Sequence, residues 1–562
     1  MISVSGKYWE EINTSNRLIK KIKSDQNISE LIAKLIISRN LDKTEIYSIK
    51  NEVDLLNPFL NNSDYYECFK TLEETIVNNG KILIIGDYDV DGIVSTSLII
   101  KFFQFIKYQY SFYIPDRIQD GYGASLGLIK KLIVNKFDLV ILLDCGSNSN
   151  EAIDYLNKNK IKSIILDHHE IFKPYPNTKN IINPKKQCSY SNYDYFCSAT
   201  LTYFFIDYFF KKKNIKNNFE INLIYVLLAI VADVMPLRKL NRIISKKVLA
   251  NFDITNNFIF NEIYKINNKK NKLNIEDLGF LIAPLFNVAG RIDKADKVVN
   301  LLTTSDDNEK LKIILNLYKL NDKRKNFEEN IMKEIDLYEI NKIKNNVIVI
   351  LIENDNEGLI GIIASKIKEY FDKPCIVFTK SGLNYKGSAR STEDFNIGKC
   401  IKLGIDKKII LNGGGHNLAA GLSIKKNKLQ TFINFINDES FFKKKKRTRK
   451  YLSKINLSAV NFNFYKDIDQ LEPYGSFNPK PAFLIENLKI IKCSILKNKY
   501  VSCLLSSSSG KTMSAISFNL INSEISKILL NYKNKVNIIA EINSKNWNGK
   551  QTLQLIIQDI IL

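Results

Sequence analysis

The chain has 562 residues and a formal net charge of +23, with 45% apolar and 25% charged residues. That balance is of a folded globular chain and excludes disorder over most of its length. The most apolar stretch, Ile221 to Leu237, carries Asn222 and Asp233 and falls short of the ~20 clean residues of a membrane span. The opening MISVSGKYWEEI lacks the charged-then-apolar layout of a signal peptide, so a cytoplasmic chain is expected, with no membrane partner. The excess charge has two readings: a Lys-, Asn- and Ile-biased composition, or a polyanionic partner. The eight cysteines include no C-x-x-C pair, which argues against a zinc ribbon and for reduced thiols.

In chain order, residues 1–50 read as a polar helical segment. Next come KILIIGD (81–87), FDLVILLDCG (137–146) and IKSIILDHH (161–169), short β-branched runs separated by amphipathic segments such as Ile93 to Ile106. Strands alternating with helices predict a parallel α/β sheet, in a domain placed at 51–300. The amphipathic stretch 309–340 predicts a connecting helix, placed at 301–343. VIVILIE (347–353), IGIIASKIKEYF (360–371) and PCIVFT (374–379) open a second α/β domain, 344–440. FFKKKKRTRKYL (441–452) reads as a basic linker. Short strands and turns over 453–562 predict a small β-barrel.

The three strands of the first domain each end in acid: Asp87, Asp89 and Asp91 after the first, Asp144 after the second, and Asp167-His168-His169 after the third. Ligands of an open α/β sheet sit at the carboxyl ends of its strands, so these groups converge there. So many carboxylates repel one another unless cations intervene. Each Asp taken alone is also a common turn or cap residue. The chain has only three histidines, however, and two of them stand side by side at a strand end. Asp233 lies in the apolar run LLAIVADVMPL (227–237), where a buried carboxylate needs a metal or an arginine. Asp/His clusters suit paired divalent metals in phosphoester hydrolysis.

GDYDVDG (86–92), LLDCG (142–146), DHH (167–169) and ADVMPL (232–237) resemble, in order and spacing, the motifs of the DHH phosphoesterase superfamily. GGGHNLAAG (413–421) resembles the signature of the associated DHHA1 domain. YIPDRIQDGYG (113–123), FNVAGRID (286–293), GSARS (387–391) and LEPYGSFNPKP (471–481) resemble its single-strand-specific exonuclease branch, whose C-terminal region is an OB-fold. The resemblance implies that Asp89, Asp91, Asp144, His168 and Asp233 ligate two divalent metal ions, Mn²⁺ or Mg²⁺. It implies that His169 meets the scissile phosphate, with Asp87 and Asp167 in supporting catalytic roles. Arg291, Ser388 and Arg390 would hold the 5′ end of the strand, with Gly414, Gly415 and His416 lining an anion site that a following helix start would favour.

Arg117 and Tyr122 are candidates to stack on unpaired bases, and Trp547 is a candidate platform on the barrel, where a structural Trp is an equal reading. The basic run Lys443 to Lys450 is either a phosphate track or a solvated linker. The implied activity is 5′→3′ digestion of single-stranded DNA to mononucleotides in repair and recombination. Single-strand-binding protein and a DNA helicase are the implied protein partners. The alternatives are a relative acting on short RNA or cyclic dinucleotides, or a non-catalytic single-strand-binding replication subunit. The chain departs from the family pattern at Asp355-Asn356-Glu357-Gly358, at Cys197-Ser198-Ala199-Thr200 and at Gly475-Ser476-Phe477-Asn478; the last two are expected to touch no proposed metal ligand.

Overall fold

The three β-branched runs form neighbouring parallel strands in a computed structural model of the chain. The structure describes residues 1–562 except 118, 122, 187–190, 343–344, 354–356, 439–440, 442–447, 520–522, 532–533 and 548–549. Tyr122, Asp355, Asn356 and the start of the basic run, Lys443 to Arg447, are therefore outside the described residues. The chain divides into two compact units.

One unit comprises 55–236 and 247–444. Its first sheet has five parallel strands in the order Ser111–Tyr113, Ile82–Ile85, Leu139–Leu143, Lys162–Leu166 and Ile181–Ile182. The three central strands are almost wholly buried, as parallel strands covered on both faces must be. The helix Val90–Phe105 departs from the amphipathic expectation, being buried nearly all round. The helices Ser198–Lys212, Leu223–Ala232 and Asp296–Thr303 pack against it, which leaves only its last turn, at Gln104 and Phe105, open to solvent. The predicted connecting helix is Asp307–Glu334. Among the described residues no helix is long and apolar enough to cross a membrane.

A second five-stranded sheet follows in this unit, ordered Asn412–Gly415, Ala419–Lys425, Asn384–Arg390, Cys375–Ser381 and Ile348–Ile352. Only its last pair is parallel. The helix Ile360–Phe371 packs on it.

The other unit comprises 1–54, 237–246 and 445–562. Its strands Ala482–Leu496, Tyr500–Ser506, Thr512–Ser517, Lys550–Ile561 and Val536–Trp547 pair in that order, and the last closes on the first. This closed five-stranded barrel has the OB arrangement, with the helix Glu524–Asn531 between its third and fourth strands in sequence. The N-terminal segment is not only helical. Its strand Tyr8–Glu11 pairs in parallel with Thr448–Tyr451, so the end of the predicted linker is also strand. The Trp9 indole N–H donates to buried Asp559 at 2.9 Å, and Ile32, Leu35 and Ile36 join the barrel's apolar cluster. Arg242, 1% exposed, donates to the carbonyls of Leu471 and Glu472 in the same unit.

Candidate active site

The first strand's end turns directly into the buried helix. Asp89 is that helix's N-cap, accepting from the backbone N–H groups of Asp91 and Gly92 at 3.0 and 3.1 Å. Asp91 lies in the first turn of that helix and is fully buried. Its two oxygens accept from the N–H groups of Ser198 and Ala199, each at 2.8 Å. The helix Ser198–Lys212 has no side-chain cap of its own, so Asp91 caps it from across the fold. Asp144 takes φ +60, and Gly146 after it takes φ +106, which bends the second strand's end sharply. The Ser198 hydroxyl donates to Asp144 Oδ1 at 2.9 Å.

Asp167 works differently from the other carboxylates. Its oxygens accept from the N–H groups of His168, His169 and Ser147 and face His169 Nδ1 at 2.8 Å. Asn183 donates to the His169 carbonyl and to the Ser147 hydroxyl. Asp167 is thus a buried brace that orients the two imidazoles.

His168 Nε2 points at three carboxylates: Asp144 at 3.4 Å, Asp233 at 3.5 Å and Asp91 at 3.7 Å. These spans are too long for good hydrogen bonds. Three overlapping groups have donor atoms within 4.8 Å of one another: Asp91, His168, Asp233; Asp144, His168, His169; and Asp87, Asp89, Asp144. Asp87 Oδ1 and Asp144 Oδ2 are buried and have no hydrogen-bond partner among the described residues. Orphaned buried carboxylate oxygens facing one another fit a site for divalent cations.

The electrostatics agree. Burial, and then the charge of Asp89, pushes the Asp87 carboxyl well above the usual range. Burial followed by Asp91 does the same to Asp144 and Asp233. Asp91 rises to about 6, burial and Asp89 outweighing its two N–H donors. Asp167 goes the other way: burial alone would raise it, but His169 and His168 hold it well below the carboxylate range. Burial and the neighbouring His169 lower His168, which keeps its ring neutral, the form in which imidazole ligates metal. Asp167 overcomes burial at His169 and lifts it to about 9.

These shifts carry a prediction for the metal-free chain. Carboxyls raised above their unfolded values contribute stability below those values and lose it as pH rises through the folded values. The loss is complete above about pH 6 for Asp91 and extends well above the usual carboxylate range for Asp87, Asp144 and Asp233. Mn²⁺ should therefore raise Tm more at pH 8 than at pH 6, with proton release on binding. Thermal shift and calorimetry in two buffers of different ionisation enthalpy check this; an equal shift with no proton release would refute it.

The second sheet of the same unit brings His416 to this site. Its ring stacks on His169, with centroids 5.9 Å apart, and its Nδ1 lies 4.0 Å from Glu170. The glycines before it correct the expected loop and helix start: Asn412–Gly415 is a strand, hairpinned to Ala419–Lys425. The adjacent helix Ile397–Asp406 has early N–H groups already bonded to the carbonyls of Asn417 and His416. Gly415, at φ +155, approaches Ala420 so closely that a Cβ would fall 2.4 Å from its Cα. Gly414 is exposed and has open space around it.

Arg117, Arg291 and Arg390 gather at a second point of this unit. The Arg117 guanidinium stacks on Tyr88 at 5.0 Å, inside the chain's own acidic loop. Arg390 bonds the Ser388 hydroxyl and the Ala389 carbonyl at 3.2 and 2.9 Å. Burial, then Arg117 and Arg390, lowers Arg291 to about 10. Burial and then Arg117 lower Arg390. Among the described residues none of the three forms an ion pair with a carboxylate. Tyr113 is structural, its hydroxyl donating to Asp120 at 2.7 Å.

Ser198 and Ala199, in a stretch set aside as touching no ligand, bond both Asp91 and Asp144. Ser147 and Asn183 were also missed. The available signal was that buried carboxylates need donors, but most of these donors are backbone N–H groups and leave no mark on residue identity. The barrel offers one unforeseen feature: Tyr500 and Phe518 meet edge-on at 5.5 Å, with Phe518 57% exposed. Tyr500, Ser502 and Leu504 alternate on one strand face with Leu496, Ser494 and Lys492 opposite them. The side chain of Trp547 is outside the described residues.

Family models match three regions: the DHH family N-terminal domain over residues 81–230, the DHHA1 domain over 344–440 and the RecJ OB domain over 453–559. The chain belongs to the RecJ family. It is 27% identical to the single-stranded-DNA-specific exonuclease RecJ of Bacillus subtilis, over 98% of this chain and 70% of that one. It is 26% identical to RecJ of Haemophilus influenzae, over 94% of this chain and 96% of that one. The fold matches crystalline RecJ from Thermus thermophilus in complex with Mn²⁺, with TM-score 0.83 and 20% identity over 99% of this chain and 79% of that one. The Mg²⁺ complex of the same RecJ gives TM-score 0.76 at 19% identity, over 98% of this chain and 78% of that one.

Proposed function

We propose that this RecJ-family chain is a metal-dependent 5′→3′ exonuclease that hydrolyses single-stranded DNA to mononucleotides. The observation that carries the reading is one unit holding both a cation-seeking acidic cluster and a cluster of three arginines that form no carboxylate ion pair among the described residues. The first suits catalysis at a phosphodiester, the second capture of a terminal phosphate. Asp89, Asp91, Asp144, His168 and Asp233 would hold two divalent cations, Mn²⁺ or Mg²⁺, with Asp87 alongside. Bound there, the cations supply Lewis-acid stabilisation of phosphate charge and activation of water.

The chain's own residues do the rest. Ser198 and Ala199 fix the ligand carboxylates before substrate arrives. Asp167 fixes the His169 ring, which donates to a phosphate oxygen at the rim. Arg291, Ser388 and Arg390 grip the 5′ phosphate, and Arg117 reaches the same group from its stack on Tyr88. The strand's bases lie on Tyr500 and Phe518 of the barrel, with Lys492 on the paired strand to neutralise a phosphate. Such an enzyme acts in the cytoplasm in DNA repair and recombination, on strands exposed by a helicase and covered by single-strand-binding protein.

A relative restricted to short RNA or cyclic dinucleotides would not need the barrel, and a non-catalytic subunit would not keep every ligand. The test is digestion of 5′- and 3′-labelled single-stranded and duplex DNA with Mn²⁺, Mg²⁺ or EDTA. The expected result is mononucleotides released first from the 5′ end of single strands, and none in EDTA. Cleavage in EDTA, or of duplex only, would overturn the reading.

A further inference from the structure

Cys493 and Cys503 stand directly opposite each other on the first two antiparallel strands of the barrel. Opposed residues of such a pair have Cα atoms ~4.5–5.5 Å apart, inside the range a disulfide spans. The Cys493 S–H donates to the Leu529 carbonyl at 2.8 Å. Both are free thiols. Cys503 is 4% exposed, whereas Cys493 is half-buried and open to a small reagent. Both sulfurs lie on the inner side, where Cys493 packs against the apolar cluster that contains Cys503.

We propose that Cys493 and Cys503 form a reversible dithiol–disulfide site that closes under peroxide. Cys493 is the attacking thiol: contact with the Cys503 thiol lowers its pKa, while the same contact and burial raise that of Cys503. A half-exposed thiol of lowered pKa beside a second thiol is the arrangement of a peroxide-sensing pair. The Cys493 thiolate attacks one peroxide oxygen; the O–O bond breaks, leaving a sulfenic acid and releasing the other oxygen as water. The Cys503 sulfur then attacks the sulfenyl sulfur, the S–S bond forms, and the hydroxyl leaves as a second water. Two thiols are oxidised by two electrons and one hydrogen peroxide is reduced to two waters.

The other described cysteines have no such arrangement. Cys68, Cys145, Cys197, Cys375 and Cys400 are all buried, and burial pushes each thiol up. Closure also has a local consequence. The strand Ala482–Leu496 shifts register between Ile490 and Lys492, next to Cys493. A bond to Cys503 pins the hairpin beside that bulge and withdraws the S–H from Leu529.

The experiment treats the reduced full-length chain with hydrogen peroxide, blocks remaining thiols with N-ethylmaleimide, and maps peptides by mass. The expected result is one Cys493–Cys503 linked peptide, lost on adding dithiothreitol. In Cys503→Ala the link disappears and Cys493 runs on to sulfinic acid. In Cys493→Ser both the link and the fast-reacting thiol are lost. If Cys503→Ala fails to fold, maleimide labelling of the native chain still decides, since Cys493 should react fastest among the cysteines named above. Both thiols remaining alkylatable after peroxide, or Cys493 in the native chain going to sulfinic acid without a link, would overturn the proposal.

Discussion

Asp144→Asn should abolish strand cleavage while leaving the fold intact. Asp144 belongs to two of the three donor groups, so it is the carboxylate that joins them. One of its oxygens is held by the Ser198 hydroxyl and the other has no hydrogen-bond partner among the described residues. Asparagine keeps the shape, and with its amide oxygen toward Ser198 keeps that hydrogen bond. What it removes is a negative charge that would help to hold the cations. Loss of a preorganised polar group at a reacting centre is worth about 10²–10³ in kcat, and a residue common to two donor groups should reach the upper figure.

The same substitution has a second, opposite signature. Burial and then Asp91, Asp89 and Asp87 all oppose the charge on Asp144, so the metal-free carboxylate cluster is under repulsion. Removing one member should raise Tm in EDTA and shrink the gain that Mn²⁺ brings. A damaged core would lower both. Steady-state cleavage with thermal shift in EDTA and Mn²⁺ separates these cases. Cleavage within about tenfold of the parent would sink the ligand assignment, and a lower Tm in EDTA would attribute the loss to folding.

Much of this architecture was legible because it depends on side-chain type. Three β-branched runs ending in acid, and two adjacent histidines in a chain holding three, pointed to one end of one parallel sheet. The misreadings have physical reasons. Val90–Phe105 carries the polar residues Ser95, Thr96 and Ser97 among its apolar ones, and small hydroxyl side chains do not reveal by type whether they face solvent. Two of these bury their hydroxyls by bonding back to the preceding turn, Thr96 to Gly92 and Ser97 to Ile93, both at 2.8 Å.

The Gly413–Gly415 run looks like a loop because glycine weakens strands. Here the absent side chains let two strands and a helix meet: a Cβ at Gly413 would lie 2.8 Å from the Gly421 carbonyl oxygen and 2.8 Å from Ile401. The seating of the N-terminal segment had no local signal at all. It rests on pairs such as Trp9 with Asp559, 550 residues apart in sequence.

Arg390→Ala should raise KM for 5′-phosphorylated single strands far more than for strands with a 5′ hydroxyl. The argument starts from crowding. Arg390 and Arg291 are each disfavoured as cations by burial, and Arg117 adds repulsion to both. No carboxylate among the described residues forms an ion pair with them, so a terminal phosphate dianion is the ligand that would relieve the repulsion. The approach is built in: a Cβ at Gly361 would fall 3.0 Å from Ser388 Oγ and 3.1 Å from Arg390 Nη2, and glycine there lets the start of the helix Ile360–Phe371 close on the site. A hydrogen bond between charged groups is worth about 1.5–3 kcal/mol, so KM for the phosphorylated strand should rise roughly ten- to a hundredfold. The preference for phosphate over hydroxyl should fall by a similar factor, with kcat at saturation changed much less. Arg390→Lys keeps a charge without the planar fork and should recover only part of the preference. Removing one of three mutually repelling cations should also raise Tm when no DNA is present. Equal KM changes for both 5′ ends would move Arg390 from terminal capture to general contact with the strand, and an unchanged KM would remove it from the site.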